Sequence, residues 1–210
     1  MFRNEIRSNR GQAGVWVHTG GLGICRSNEI HHNACPGVRV QTRADPTFSD
    51  NRIFGNEAEG VIIDHEGLGV LNNNEVFENH GHGVNVAMGA NPLMRRNDIH
   101  HHTHGSGINL QVGAAGVFEN NRVYQAGKEA VLQHDKLSGQ KGESIVLHEN
   151  EVKDNIFGGS TKWVVSSRDQ GLKASAKPAR VLETSSYGTA LPTRRGAPAV
   201  ATPGTLSVPN

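Results

Sequence analysis

The sequence predicts an all-β chain wound as a right-handed parallel β-helix of about seven coils, and three observations predict it. First, a short phrase led by asparagine recurs at a spacing of about 23 residues, with Asn4, Asn28, Asn51, Asn74, Asn97, Asn121 and Asn150 in the leading place. Second, each leading Asn is followed two residues later by Ile6, Ile30, Ile53, Val76, Ile99, Val123 or Val152, and the last six are preceded three residues earlier by Cys25, Phe48, Leu71, Met94, Phe118 or Leu147. Third, between these stand apolar-x-apolar trios such as Val15-Trp16-Val17, Val38-Arg39-Val40 and Val84-Asn85-Val86. Each repeat therefore holds three very short segments of period 2, the mark of strands with alternate side chains inward.

Strands this short, separated by Asn and Gly, lack the strict leucine ladder of a horseshoe, and the repeat is about half the length of a propeller blade. Winding each repeat once around a common axis stacks equivalent residues at the ~4.8 Å strand spacing, so the inward Ile and Val columns merge into one core.

The asparagines recur for local reasons. Asn tolerates positive φ and bonds its own backbone at turns, and stacked amides can bond from coil to coil. Asn9, Asn33, Asn56 and Asn79 form a second such column, and Gly14, Gly37, Gly60, Gly83 and Gly107 mark a corner that leaves no room for a Cβ. All of these are read as scaffold.

Composition sets outer bounds. A net charge of +1 carries no basic face for nucleic acid. No apolar run approaches the ~18 residues of a membrane span, and Met1-Phe2-Arg3 leads into the first coil without a signal-peptide core. The expectation is an intracellular chain, cytoplasmic or nuclear. Cys25 sits in an inward column and is expected reduced, as a packed thiol.

In chain order, the first coil starts at once and has no polar cap, which suggests docking through that end. Lys136 to Gly142 reads as a loop inserted in the sixth coil, and Asn155 with Trp163 would belong to a seventh. Residues 1–166 are expected to form the solenoid. Residues 167–210, rich in Ala, Ser and Pro and basic, are expected to be a disordered tail.

Three outward columns carry candidate function. The place after each leading Asn alternates in sign, so that Arg52 would lie between Glu29 and Glu75, and Arg122 between Asp98 and Glu151. Such pairs keep register and add little else. Two places further on come Arg7, His31, Phe54, Phe77, His100 and Tyr124. Phe54 and Phe77 there make either a docking stripe or a self-shielding stack. The centres of the trios present Trp16, Arg39, Ile62 and Asn85, flanked by His18, Gln41 and Asp64, a mixture that suits a protein partner.

Two chemical readings compete with protein binding. His80, His82, His100, His101, His102 and His104 gather near one corner, but no Cys or carboxylate pair completes a metal set, so the reading assigns no metal and no cofactor. The alternative is a carbohydrate-active enzyme. Asp64-His65-Glu66, with Arg43 one coil away, could supply a base and a charge-neutralising cation, although the two carboxylates needed for glycoside hydrolysis are absent and no catalytic residue is assigned. Gly81-His82-Gly83-Val84 is similar to the Gly-His-Gly segment that opens a strand in polygalacturonases.

The phrases Asn91-Pro92-Leu93-Met94-Arg95-Arg96-Asn97-Asp98-Ile99-His100 and Asn51-Arg52-Ile53-Phe54-Gly55-Asn56-Glu57-Ala58-Glu59-Gly60-Val61 closely resemble the β-helix repeats of F-box-only ubiquitin-ligase substrate receptors. The resemblance covers roughly Met1 to Val165. It implies a non-catalytic module that recruits a protein substrate, here through Trp16, His18, Arg39, Gln41, Ile62, Asp64 and Asn85, with Phe54 and Phe77. Neither an F-box segment nor a Cys/His zinc finger stands in this chain.

Overall fold

Each of the three apolar segments of a repeat becomes a strand, and equivalent strands of successive repeats pair in parallel. The structure is a computed structural model and describes residues 1–133 and 145–153. The first turn contains β1 (Glu5–Arg7), β2 (Val15–Val17) and β3 (Leu22–Arg26); the second, β4 (Glu29–His31), β5 (Val38–Gln41) and β6 (Asp45–Ser49). The third has β7 (Arg52–Phe54), β8 (Val61–Asp64) and β9 (Val70–Asn72), and the fourth β10 (Glu75–Phe77), β11 (Val84–Val86) and β12 (Leu93–Arg95). The fifth has β13 (Asp98–His100), β14 (Ile108–Leu110) and β15 (Gly116–Glu119). Beyond it lie β16 (Arg122–Tyr124), β17 (Val131–Gln133), β18 (Ile145–His148) and β19 (Glu151–Lys153).

Five turns thus run without interruption, somewhat fewer than the seven coils expected, and a sixth continues on either side of residues 134–144. The first sheet runs β1-β4-β7-β10-β13-β16-β19, the second β17-β14-β11-β8-β5-β2 and the third β18-β15-β12-β9-β6-β3. The inserted loop, Asn155, Trp163 and the expected boundary at residue 167 lie outside the described residues.

Register follows the repeat. Ile53, Val76 and Ile99 pair in succession across the first sheet, and all three are fully buried. Val38, Val61, Val84 and Ile108 do the same in the second, and Phe48, Leu71, Met94 and Phe118 in the third. The three columns form one apolar core, with Cys25 as a buried free thiol whose pKa is raised by that burial.

The asparagine columns are hydrogen-bonded ladders. In the first, the Asn51 backbone N–H and side-chain Nδ2 both donate to Oδ1 of Asn74, and Nδ2 also donates to the Cys25 carbonyl. The same step repeats from Asn4 to Asn150. The second ladder runs Asn9, Asn33, Asn56, Asn79. Positive φ is not the reason these positions are Asn. The left-handed residues are the ones just before the leading place, Ser27, Asp50, Asn73, Arg96 and Asn120, at φ of 53 to 56°. The leading Asn earns its position by satisfying buried backbone groups of two neighbouring coils.

The glycine column does reflect missing space. A Cβ on Gly60 would lie 2.7 Å from both the Asn79 amide nitrogen and the Gly83 carbonyl oxygen. Among the described residues, no helix is long and apolar enough to cross a membrane.

Candidate functional site

The outer face of the second sheet collects most of the residues singled out from sequence. Its central column reads Trp16, Arg39, Ile62, Asn85 and Asn109 down successive strands, and register places Gln41 beside Asp64. Exposure falls along this column. Trp16 is 40% exposed, whereas Asn85 and Asn109 are buried, Asn109 at 3%. The face is therefore not evenly open, and Asp64 and Asn85 are less accessible than a contact surface would have them.

The chemistry concentrates where the second and third turns meet. Nη2 of Arg39 donates to Oδ2 of Asp64 at 2.7 Å, and Nδ1 of His65 lies 3.2 Å from Oδ1 of the same carboxylate. Asp64 is only 6% exposed, so it has little water to compete for its charge, while more than half of the His65 side chain is open. Nε of Arg39, Oδ1 of Asp64 and Oδ1 of Asn109 are buried without a hydrogen-bond partner.

Local backbone holds this arrangement. His65 and Glu66 both take positive φ, 48 and 59°, a costly conformation for residues with a Cβ. The turn they make aims His65 outward and puts Glu66 in reach of Arg43, whose Nε donates to it at 2.6 Å. That bond raises the Arg43 pKa further. Trp16 and His18 lie with ring centroids 4.5 Å apart at the open end of the same face.

Further down, Ser106 donates its backbone N–H to Nδ1 of His82 and its hydroxyl to Glu129, and Asn109 donates to Asn85. The Ser106–Glu129 contact escaped the sequence reading. Both lie one place before the glycine column, in adjacent coils, so column reading could have found it.

The other stripe is a stack. His31, Phe54, Phe77, His100 and Tyr124 follow one another with centroids 4.7 to 5.3 Å apart and planes within 16°. The Arg52 guanidinium lies over both Phe54 and Phe77 and bridges Glu29 and Glu75; Arg122 bridges Asp98 and Glu151. With their faces spent on each other and Phe77 buried, these rings offer a partner edges only.

The histidine corner also divides. His102 is buried in the second asparagine column, below Asn79, and neither ring nitrogen has a hydrogen-bond partner of good geometry. Burial, with His100 and His82 adding to it, pushes its pKa down to about 3. A cleft of about 450 Å³ lies at this corner, lined by Gly55, Asn56, Glu57, Glu78, His80 and Thr103. No group of three or more His, Cys, Asp or Glu that could hold a metal occurs among the described residues.

Comparison with known proteins gives a matching family model, described as right handed beta helix region, over residues 1–157. No curated protein matches. Among solved structures, a mutant of a periplasmic alginate epimerase is similar at 16% identity and a TM-score of 0.57, covering 74% of this chain and 42% of that one. The A-module of a mannuronan C-5 epimerase from Azotobacter vinelandii is similar at 14% identity and a TM-score of 0.53, covering 79% of this chain and 58% of that one. This chain spans about half the length of the structures it matches. Likeness at such identity is a likeness of fold. The family match is to the repeat itself and does not extend to ubiquitin-ligase receptors.

Proposed function

This chain belongs to the right-handed β-helix family, and on that premise we propose that the second sheet acts on an acidic polysaccharide, a polymer of uronic acid residues. The observation that carries the reading is the buried Asp64 carboxylate flanked by an Arg39 guanidinium and a solvent-open His65 imidazole. Asp64 positions both; Arg39 receives the sugar carboxylate; His65 is the proton acceptor. The two epimerases of similar fold, whose names place alginate and mannuronan as their substrates, support this choice of polymer.

In the proposed reaction His65 removes the proton from the carbon bearing the carboxylate. The electron pair left behind delocalises into that carboxylate, and Arg39 meets the added negative charge. Return of a proton from water to the opposite side of the carbon inverts it, and His65 gives the proton that it took back to solvent. Departure of the neighbouring glycosidic oxygen, taking the proton from His65, instead leaves a double bond and a new chain end.

The test is incubation with a panel of uronate polymers in deuterated water. Deuterium at the carbon next to the carboxylate, or unsaturated chain ends, is expected, and His65→Ala should lower the rate at least about a hundredfold. No exchange and no unsaturation from any polymer, or undiminished activity in His65→Ala, would remove the proposal.

Protein docking on the same face is the second reading, and an exposed Trp16 beside Arg39 favours it, since Trp and Arg dominate binding hot spots. It includes the narrower idea of a ligase receptor's substrate-binding solenoid. Here Arg39→Glu with Ile62→Asp should abolish partner capture while the chain stays folded, and capture that is unchanged would exclude this surface.

A further inference from the structure

The outer face of the third sheet carries a feature that the second does not. Its middle column reads Ile24, Thr47, Val70, Leu93, Val117 and Val146, each registered on the next. These side chains alternate with the inward core column and point to solvent: Ile24 is 63% and Val146 45% exposed, and the four between are partly exposed. Beside this column Leu22 and Leu68 are exposed as well. The corner leading into the sheet is apolar at Met88 and Val112, both exposed. Charge lies at the edges: Asp45 is registered beside Leu22 on the near side, and on the far side Arg26 is paired with Asp50 and Arg95 with Glu119. A contiguous solvent-facing apolar patch of this extent marks an interaction surface.

We propose that this face is the contact between two copies of the chain. Area is the first argument. Six strands at ~4.8 Å spacing, each spanning about five places at ~3.3 Å once the flanking residues that continue its parallel backbone bonding are counted, give a flat footprint on the order of 500 Å² per copy. Two such footprints, with side-chain relief and the apolar corner, come to about 1,200 Å², the lower bound for specific interfaces, which fits a reversible dimer. Shape is the second argument. Side chains on a parallel solenoid stand in rows one strand spacing apart, and a second copy presents rows of the same spacing, so the two faces can interdigitate as packed sheets do. Charge is the third. The far-edge arginines are already neutralised within each copy, so bringing two apolar faces together strands neither of them.

The test is sedimentation of the whole chain over a concentration series. A monomer–dimer equilibrium is expected. Val70→Asp and, separately, Leu93→Lys should weaken it by at least about a hundredfold, because each change enters the interface twice. Both sites face solvent, so circular dichroism should be unchanged. Thr47→Val fills the one polar step in the column and should strengthen the dimer several-fold, which decides the matter should a charged variant unfold. A chain that stays monomeric at every concentration, or a dimer indifferent to all three substitutions, overturns the proposal.

Discussion

Replacing His102 by asparagine should stabilise this protein, and should do so more as the solution is made acid. His102 stands where the second ladder would have its next Asn, and both ring nitrogens are buried without partners. The ladder stops at this position: Asn33 donates to Asn56 and Asn56 to Asn79, whereas His102 accepts no such bond of good geometry from Asn79. In His102→Asn the new carbonyl can accept from Asn79, and the new amide can reach the Val76 carbonyl, as Asn79 reaches that of Ile53. At about 0.5–1.5 kcal/mol for each net hydrogen bond, the gain at neutral pH is about 1–2 kcal/mol.

The acid contribution is larger. The folded pKa of His102 is about 3, against 6.5 for the free side chain. The unfolded chain therefore binds this proton more tightly than the folded one, so stability is lost as pH falls below 6.5 and the loss is complete below about 3. At a pH midway between these, the penalty is about 2.5 kcal/mol, and it vanishes in the variant. Denaturant midpoints of both proteins over this range give the comparison, and other titrating groups cancel in the difference. Parallel curves for the two proteins would refute the reasoning, since they would mean that His102 is not held neutral by burial.

Two further substitutions probe the scaffold. Asn74→Ala removes the acceptor for two donors of Asn51 and two donations by Asn74 itself, so chemical denaturation should show a loss of about 3 kcal/mol or more. Gly83→Ala would drive a methyl group into Nε2 of His102 and the Gly107 carbonyl, and should lower the melting temperature by several degrees, whereas Gly11→Ala, with open space around it, should leave it unchanged.

Much of the fold was readable because a solenoid is close to one-dimensional. A residue's neighbours are those one period away, so the Ile53, Val76 and Ile99 column, both ladders and the bridging of Arg52 and Arg122 emerge from counting alone. Counting fails on contacts that cross columns. Arg39 is registered on Ile62, and Asp64 on Gln41, yet Arg39 reaches Asp64 diagonally, 25 residues away. The pairing that organises the candidate site was therefore invisible to a reading by period. The apolar stripe of the third sheet was a different miss: it follows the period, four places before each leading Asn, but lay outside the columns that were compared.

The amino-acid order alone was enough to dictate the winding, the inward columns and the ladders, because each depends on spacing that recurs along the chain. Folding decided how far each outward side chain is covered and which neighbour it meets. Asn109 and Trp16 share one column yet differ between burial and exposure, and His102 shares a column with Asn79 yet has no side-chain bond of good geometry where Asn79 has three. Burial and side-chain direction depend on every atom packed around a residue, and a repeat spacing records only the one above and the one below.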